Sequence, residues 1–434
     1  MMTQEENELL TRVGPGAPAG EMLRRYWQPV ALAEELPPGG APKPVRFFGE
    51  DLVLFRDDQG RVGLLDTHCS HRGADLSYGR VEDGGLRCIY HGWLYDVQGR
   101  CLDQPGEPDG GRNRGTVRHK AYPCQEKAGL IFGYFGPGEP PLLPAYEIFE
   151  IADEYRFAYK FYSECNYLQG NEGNIDPRHL SFLHRFFDES LTGETRQGRY
   201  RTVGGSNSSP NQLCGENLAP PIELELEDFG VRIYTWRPVG EKAYLRVSNF
   251  VMPNLCAVPG ETQGAGYLVN WHVPIDDEHH WKFMIVFSRA EPLDQDAFRK
   301  RYSTEAVPSY RAARNAANRY LQDRDELKTR SYTGMGSSFP VHDLFATESQ
   351  GSIQDRTREH LVTSDKAIVA ERKQLLKAIK DVQEGRDPLH VIRDPEHNRF
   401  PHMVVISEVV PTSNDIKDYV QKVEAVAKEK SSSI

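Results

Sequence analysis

From about Pro44 to Phe135 the apolar positions come in short runs, some alternating and some continuous, each broken by turn residues. Residues 45–48, 52–55, 62–65 and 129–134 have strand length, and Asp58-Gln59-Gly60 is a turn between two of them. This part of the chain predicts an all-β module. A stretch rich in proline and glycine, Gly136-Pro137-Gly138-Glu139-Pro140-Pro141 through Pro144, follows and predicts a boundary. Beyond it, strand candidates at 156–164, 222–226, 231–236, 243–250, 267–273 and 281–287 suffice for one antiparallel sheet, with helices between and after. The clearest helix covers 364–384: Ser364 is a capping residue, Ile368, Leu375, Ile379 and Val382 fall along one side, and Gly385 follows. A lysine-rich tail from about Asn414 predicts a short helix that frays into residues 431–433. The pattern is α+β, with an all-β domain over 1–140 and a second domain over 141–434 that sets an antiparallel sheet among helices.

Length and charge narrow the function. At 434 residues and 38% hydrophobic content the chain can bury a sizeable core. A formal net charge of −11 argues against a nucleic-acid partner, which needs a basic face to displace counterions. Lysine and arginine do concentrate between Arg299 and Arg330, but they alternate with Asp and Glu, which suits a solvated helix face. The first fourteen residues are polar and acidic, and no apolar stretch approaches the roughly 20 residues of a membrane span, so neither secretion nor insertion is expected. Beyond Cys69 and Cys88, the other five of seven cysteines are scattered without framework spacing, as reduced thiols of a cytoplasmic protein are.

The chemistry concentrates in two loops, Cys69-Ser70-His71 and Cys88-Ile89-Tyr90-His91. C-x-H followed by C-x-x-H supplies two thiolates and two imidazoles, the ligand set of a Rieske [2Fe-2S] centre. A structural zinc site shares that composition, although zinc loops more usually pair like ligands at C-x2-4-C and H-x3-5-H spacing. Gly73 and Gly92 stand where backbone must pass close to a cluster and leave amides free for its sulfurs. A second constellation lies in Asp176-Pro177-Arg178-His179 through His184. On a regular helix at about 100° per residue the two histidines straddle Asp176, so a shared metal needs a local distortion, such as a π-bulge, or a broad groove. Asp176-Pro177 also reads as an N-cap and first-turn pair. Gly14-Pro15-Gly16 lacks the strand–helix context of a dinucleotide site, so no flavin or nicotinamide site is evident.

The segments His68-Cys69-Ser70-His71-Arg72-Gly73-Ala74 and Cys88-Ile89-Tyr90-His91-Gly92-Trp93 resemble the cluster loops of Rieske-type ring-hydroxylating oxygenases, and Asp176-x2-His179-x4-His184 resembles the mononuclear iron motif of that family. Asn166-Tyr167-Leu168-Gln169, Ser181-Phe182-Leu183-His184 and Asp355 through Leu361 extend the resemblance toward the phthalate dioxygenase-like branch and related aromatic O-demethylases, as does Glu172, where many family members carry Asn. The resemblance implies a helix-grip, START-like catalytic domain, with the [2Fe-2S] cluster on Cys69, His71, Cys88 and His91. It also implies Fe(II) on His179, His184 and a carboxylate from a late helix, Asp343, with Glu348 and Asp355 as alternatives. Asp176 takes the role of linking the cluster histidine of one subunit to the iron histidine of the next, by accepting the ring N–H of His179. The implied protein is a head-to-tail homotrimer or stacked hexamer, a terminal oxygenase fed by a separate flavin and iron-sulfur reductase. It hydroxylates an aromatic substrate, an aromatic carboxylate by branch, or O-demethylates a methoxylated one. An electron carrier would need only the cluster and would leave the second domain without a task.

Overall fold

In the computed structural model, which describes residues 2–112, 114–188, 203, 208–260, 262, 265–305, 309–398, 403–412 and 416–431, the first part of the chain folds into three antiparallel sheets. Lys43–Phe47, Glu50–Arg56, Val62–Asp66 and Ala121–Tyr122 form one in that order, and Trp27–Leu32, Leu130–Tyr134 and Cys124–Lys127 form a second. The third is a small sheet of Arg80–Glu82, Gly85–Arg87, Leu94–Tyr95 and Cys101–Asp103. Alternation along Glu50–Arg56 explains how they stack: Leu52 and Leu54 enter the main core, while Val53 and Phe55 enter a second core with Leu86, Tyr95 and the two loop cysteines. A strand buried on both faces reads as a continuous apolar run, which is how residues 52–55 appear.

The second part is built on one eight-stranded antiparallel sheet, in the order Arg156–Ser163, His280–Phe287, Leu268–Pro274, Leu255–Val258, Lys242–Val251, Gly230–Val239, Ile222–Glu227, with Ile406–Pro411 also pairing on Lys242–Val251. All six expected strands are present within a residue or two at most ends. Leu255–Val258 and Ile406–Pro411 were not expected. The first is a four-residue run buried throughout, with no alternation to mark it, and the second lies about 120 residues from the strand block it joins.

The long helix spans Lys366–Gln383. Its N-cap is Asp365 rather than Ser364, because Thr363–Asp365 first makes a 3-10 turn whose Asp365 carboxylate accepts the Val362 N–H. Gly385 follows at φ 77°, the left-handed stop that glycine provides. The helices Gln4–Thr11 and Pro18–Leu23 pack on this long helix, so one continuous core holds Leu10, Met22 and Leu23 with Leu375 and Ile379. The basic segment 299–330 is not one helix face: it divides into Gln295–Glu305, a 3-10 stretch Ala316–Leu321 and Glu326–Thr329. The tail helix is Ile416–Ser431; Asn414 and residues 432–433, where the tail was expected to begin and to fray, lie outside the described residues.

Glu172 shows why a carboxylate stands at its position. It is buried in the helix Tyr167–Ile175, accepts from Arg356 at 2.8 Å and from Arg372 at 2.6 Å, and Arg372 also donates to Glu359 at 2.6 Å. Burial alone would raise its pKa, but the two guanidiniums outweigh it and hold Glu172 below the usual carboxylate range. Glu172→Ala leaves two buried cations short of a partner, and is expected to lower unfolding stability by about 3–5 kcal/mol in denaturant titration. A loss under 1 kcal/mol would mean that the pairs are solvated or replaceable.

Candidate functional site

Two separate groups of side chains carry the candidate chemistry. The first sits at the tips beside the small sheet. Gly73 N–H donates to the Cys69 carbonyl at 2.8 Å, and Gly92 N–H donates to the Cys88 carbonyl at 2.9 Å, so both loops close alike. Both glycines have positive φ, 74° and 78°, which a side chain would resist. Their own amides are therefore spent on loop closure and not left free for sulfur, contrary to expectation; the backbone angle is what requires glycine.

Cys69 and Cys88 are buried, the rings of His71 and His91 stand 4.5 Å apart, and His71 lies flat on Trp93. His71 Nδ1 is buried without a hydrogen-bond partner. The Tyr95 hydroxyl is 3.2 Å from Cys69 Sγ. His119 Nε2 lies 2.8 Å from the Asp66 carbonyl, so it carries the ring proton and Ser70 Oγ must donate to His119 Nδ1 at 2.8 Å. Arg87 donates to the Gly92 carbonyl while paired with Glu82 and Asp103, which braces the second loop. Burial pushes the Cys88 thiol up, so a thiolate forms there only with a cation to bind it. Two buried sulfurs, two adjacent imidazoles and an orphaned ring nitrogen fit a [2Fe-2S] ligand set.

The second group lies under the large sheet. The helix Tyr167–Ile175 ends at Asp176, which adopts an extended conformation (ψ 114°) because Pro177 disfavours a helical one before it. Asp176 is thus a helix C-cap, which removes the alternative account of Asp176-Pro177 as an N-cap and first-turn pair. The chain then makes a 3-10 turn, His179–Ser181, and this break, not a π-bulge, lets His179 and His184 converge with rings 5.0 Å apart. Asp343 comes from the helix Phe339–Glu348, and one ligand atom of each of His179, His184 and Asp343 lies within 4.8 Å of the others. Glu348 points elsewhere, accepting from Tyr320 O–H at 2.5 Å, and Asp355 caps a turn at Thr357. The hydrogen bond expected from His179 to Asp176 is not made within the chain: Nδ1 and Oδ2 are 4.0 Å apart, His179 Nδ1 is buried without a partner, and Asp176 Oδ1 accepts the Arg178 N–H.

The triad is one proton or cation short. His342 Nε2 is 3.0 Å from the Gly336 carbonyl, His342 Nδ1 is 3.3 Å from His184 Nδ1, and His184 Nε2 is 3.0 Å from Asp343 Oδ1. Burial pushes His184 down to about 3 and His342 down to about 4, so both rings are neutral and bring two N–H protons. Three contacts between two terminal acceptors need three cations or protons. Burial opposes ionisation of Asp343, but the Lys282 ammonium, with Nζ 3.5 Å from Oδ2, favours the anion, and the carboxylate is held well below its usual range. An ionised carboxylate thus faces an imidazole lone pair, and a metal cation is the fitting occupant. The neighbouring relay differs: the Cys165 carbonyl, His280, His272 and Asn174 Oδ1 are linked at 2.8, 3.0 and 2.9 Å, and there a half-turn of the Asn174 carboxamide, which brings its N–H to His272 Nε2, supplies the third proton. Gly170 lets the helix lie on that pair, since a Cβ there would come within 2.2 Å of His272 Nδ1.

Asn174, Asp176, His179, Lys282, Pro340 and Asp343 form a wall shared by two cavities. Arg246 lines the first, beside apolar Leu180, Leu268 and Met284. Arg237, fully buried, has Nη1 and Nη2 without partners, and its pKa is pushed down by burial and, further, by the guanidiniums of Arg246 and Arg178. No carboxylate among the described residues pairs with Arg178, Arg237 or Arg246, whereas Arg232 is taken up by Glu227 at 2.9 Å. Lys282, His342 and this arginine cluster are the residues that the sequence did not single out. Arg237 and Arg246 lie on expected strands, but nothing in the spacing reports which face they take.

Residues 26–123 match the Rieske [2Fe-2S] domain family, and residues 134–433 match the family described as LigXa C-terminal domain like. The chain is 36% identical over 402 residues to the 5,5'-dehydrodivanillate O-demethylase oxygenase subunit of Sphingobium sp. (strain NBRC 103272 / SYK-6), covering 92% of this chain and 85% of that one. It is 36% identical over 406 residues to the phthalate 4,5-dioxygenase oxygenase subunit of Pseudomonas putida, covering 90% and 89%. Among solved structures, the oxygenase in the reduced oxygenase–ferredoxin complex of carbazole 1,9a-dioxygenase shares the fold, with a TM-score of 0.55 and 22% identity over 91% of this chain and 97% of that one. No helix among the described residues is long and apolar enough to cross a membrane.

Proposed function

The chain belongs to the Rieske non-heme iron aromatic oxygenases, as an oxygenase (alpha) subunit with a [2Fe-2S] cluster and a mononuclear iron, and on that premise we propose that it hydroxylates an aromatic carboxylate. The observation that carries the substrate class is Arg246 at the cavity wall, close enough, with Arg178, to depress the pKa of Arg237 behind it, and no carboxylate among the described residues paired with any of the three. Buried cations are stable only when paired, and arginine meets a carboxylate through two parallel N–H donors. Arg246, which lines the cavity, is the group placed to take the ligand, with Arg237 and Arg178 adding positive potential behind it. Both full-length relatives named above are oxygenase subunits for aromatic substrates, and the O-demethylase favours a second reading, oxidative removal of a methyl group. The two reactions differ in which carbon of the bound molecule lies at His179, His184 and Asp343.

When bound, the cluster supplies single electrons and the mononuclear iron activates O2. In this reading Cys69, His71, Cys88 and His91 would hold the cluster, and His179, His184 and Asp343 would hold the iron. Lys282 keeps Asp343 ionised. Residues 1–140 form the cluster domain and 141–434 the catalytic domain. A separate electron-transfer protein delivers electrons from an NAD(P)H-dependent flavin and iron-sulfur reductase, and copies of the chain assemble head to tail as a trimer or stacked trimers. The exposed Ile89 and Tyr90 beside half-buried His91 give the cluster tip an apolar contact surface for a neighbouring copy, and Asp176 links the centres across that contact.

Arg246→Leu is expected to lower kcat/KM for an aromatic carboxylate by roughly thirtyfold or more, the loss of about 2 kcal/mol that truncating a buried charge pair brings. Oxygen uptake with the acid and with its methyl ester tests this. The parent enzyme should prefer the acid and the variant should not. An unchanged preference would reject Arg246 as the carboxylate anchor.

A further inference from the structure

His184 is held by three residues of one helix at i, i+3 and i+4. Phe339 stacks on its ring at 4.1 Å and 6°, His342 reaches its Nδ1, and Asp343 faces its Nε2. That spacing places three side chains on one face of Phe339–Glu348, so a single rigid element grips the imidazole on its plane and at both nitrogens. The central contact has a fixed proton direction. The Gly336 carbonyl only accepts, so His342 Nε2 carries the proton, which the Thr333 hydroxyl at 3.1 Å also receives. His342 Nδ1 is then a lone pair, His184 Nδ1 must be the donor, and His184 Nε2 is left bare toward Asp343.

We propose that His342 is a positioning residue of the metal centre: anchored on the Gly336 carbonyl, it selects the His184 tautomer whose Nε2 is free to bind iron. This inference rests on the proposed iron triad and adds a residue to it. His342 is fully buried and lines neither cavity, so it acts on the site through its neighbours, and its one hydrogen bond toward the triad is the one to His184. A partner at the far nitrogen of a ligating imidazole fixes its orientation and raises its basicity, and losing one costs roughly 10- to 100-fold in metal affinity.

The test is calorimetric titration of Co(II) alone into full-length protein that retains its cluster but has been stripped of mononuclear iron. His342→Leu should weaken Co(II) binding by roughly 10- to 100-fold, whereas His342→Gln, whose Oε1 accepts the same N–H, should restore it to within about threefold. His342→Met, which fills the space without an acceptor, takes the place of the leucine variant where that variant does not fold, and unchanged cluster absorption certifies the rest of the chain. Leucine or methionine variants that bind Co(II) like the parent would overturn the proposal. So would a glutamine variant as weak as they are, which would reduce His342 to packing. If the parent protein itself takes up no Co(II), or takes it up equally after His184→Ala, the triad is wrong and the role of His342 falls with it.

Discussion

Asp176→Asn is expected to lower turnover by two orders of magnitude or more while both metal centres stay loaded. The carboxylate terminates the catalytic helix, accepts the Arg178 N–H at 2.7 Å, and stands 4.0 Å from a His179 nitrogen that is buried without a partner. A modest closure on assembly would make that contact a charge-assisted hydrogen bond on the imidazole that holds iron, and a cluster histidine of the neighbouring copy can share the other lone pairs. Asparagine keeps the shape and the acceptor that Arg178 uses, so the fold should survive. It removes the charge and can present an N–H where an acceptor is needed, the kind of exchange that costs about 10^4-fold in turnover when it upsets a catalytic histidine. The measurement is reoxidation of the reduced cluster by O2 with substrate bound, beside iron content. Turnover within threefold of the parent would remove Asp176 as the link.

His184→Ala should have a larger effect, abolishing turnover to below about one part in a thousand and removing one iron per chain while leaving cluster iron and sulfide unchanged. His184 supplies one of three ligands, and its loss also leaves His342 Nδ1 without a donor and Phe339 without a ring to stack on. A cavity of that size in a buried setting costs about 2–3 kcal/mol, so the variant is expected to melt a few degrees lower and still fold. The check is metal analysis of the purified variant against Glu172→Ala, which should lose stability without losing iron. Retention of the third iron in His184→Ala would place it elsewhere.

The cluster motif stands out by its short spacing and scarce residue types; the His179 and His184 pair gained weight only beside it, and Asp343, which the structure brings to that pair, was reachable only through resemblance, since one carboxylate in a late helix carries no local signature. The same limit hid Lys282 and His342, which reach the site across a sheet and along a helix, where no sequence spacing reports contact. The strands that alternate were found, whereas Leu255–Val258, apolar on both faces, was not. Whether Asp176-Pro177 begins or ends a helix stayed open in the sequence because Asp-Pro suits both; only the backbone, extended before Pro177, decides for the end. The roles expected of Gly73 and Gly92 were half right: backbone geometry demands glycine, but their amides close the loops.

The most direct test of the account is metal and acid-labile sulfide content on anaerobically purified protein, with absorption spectra before and after dithionite. About three irons and two sulfides per chain, with a cluster that bleaches on reduction, are the predicted result. Two irons and two sulfides would contradict the mononuclear site at His179, His184 and Asp343, and zinc without sulfide would contradict the oxygenase itself.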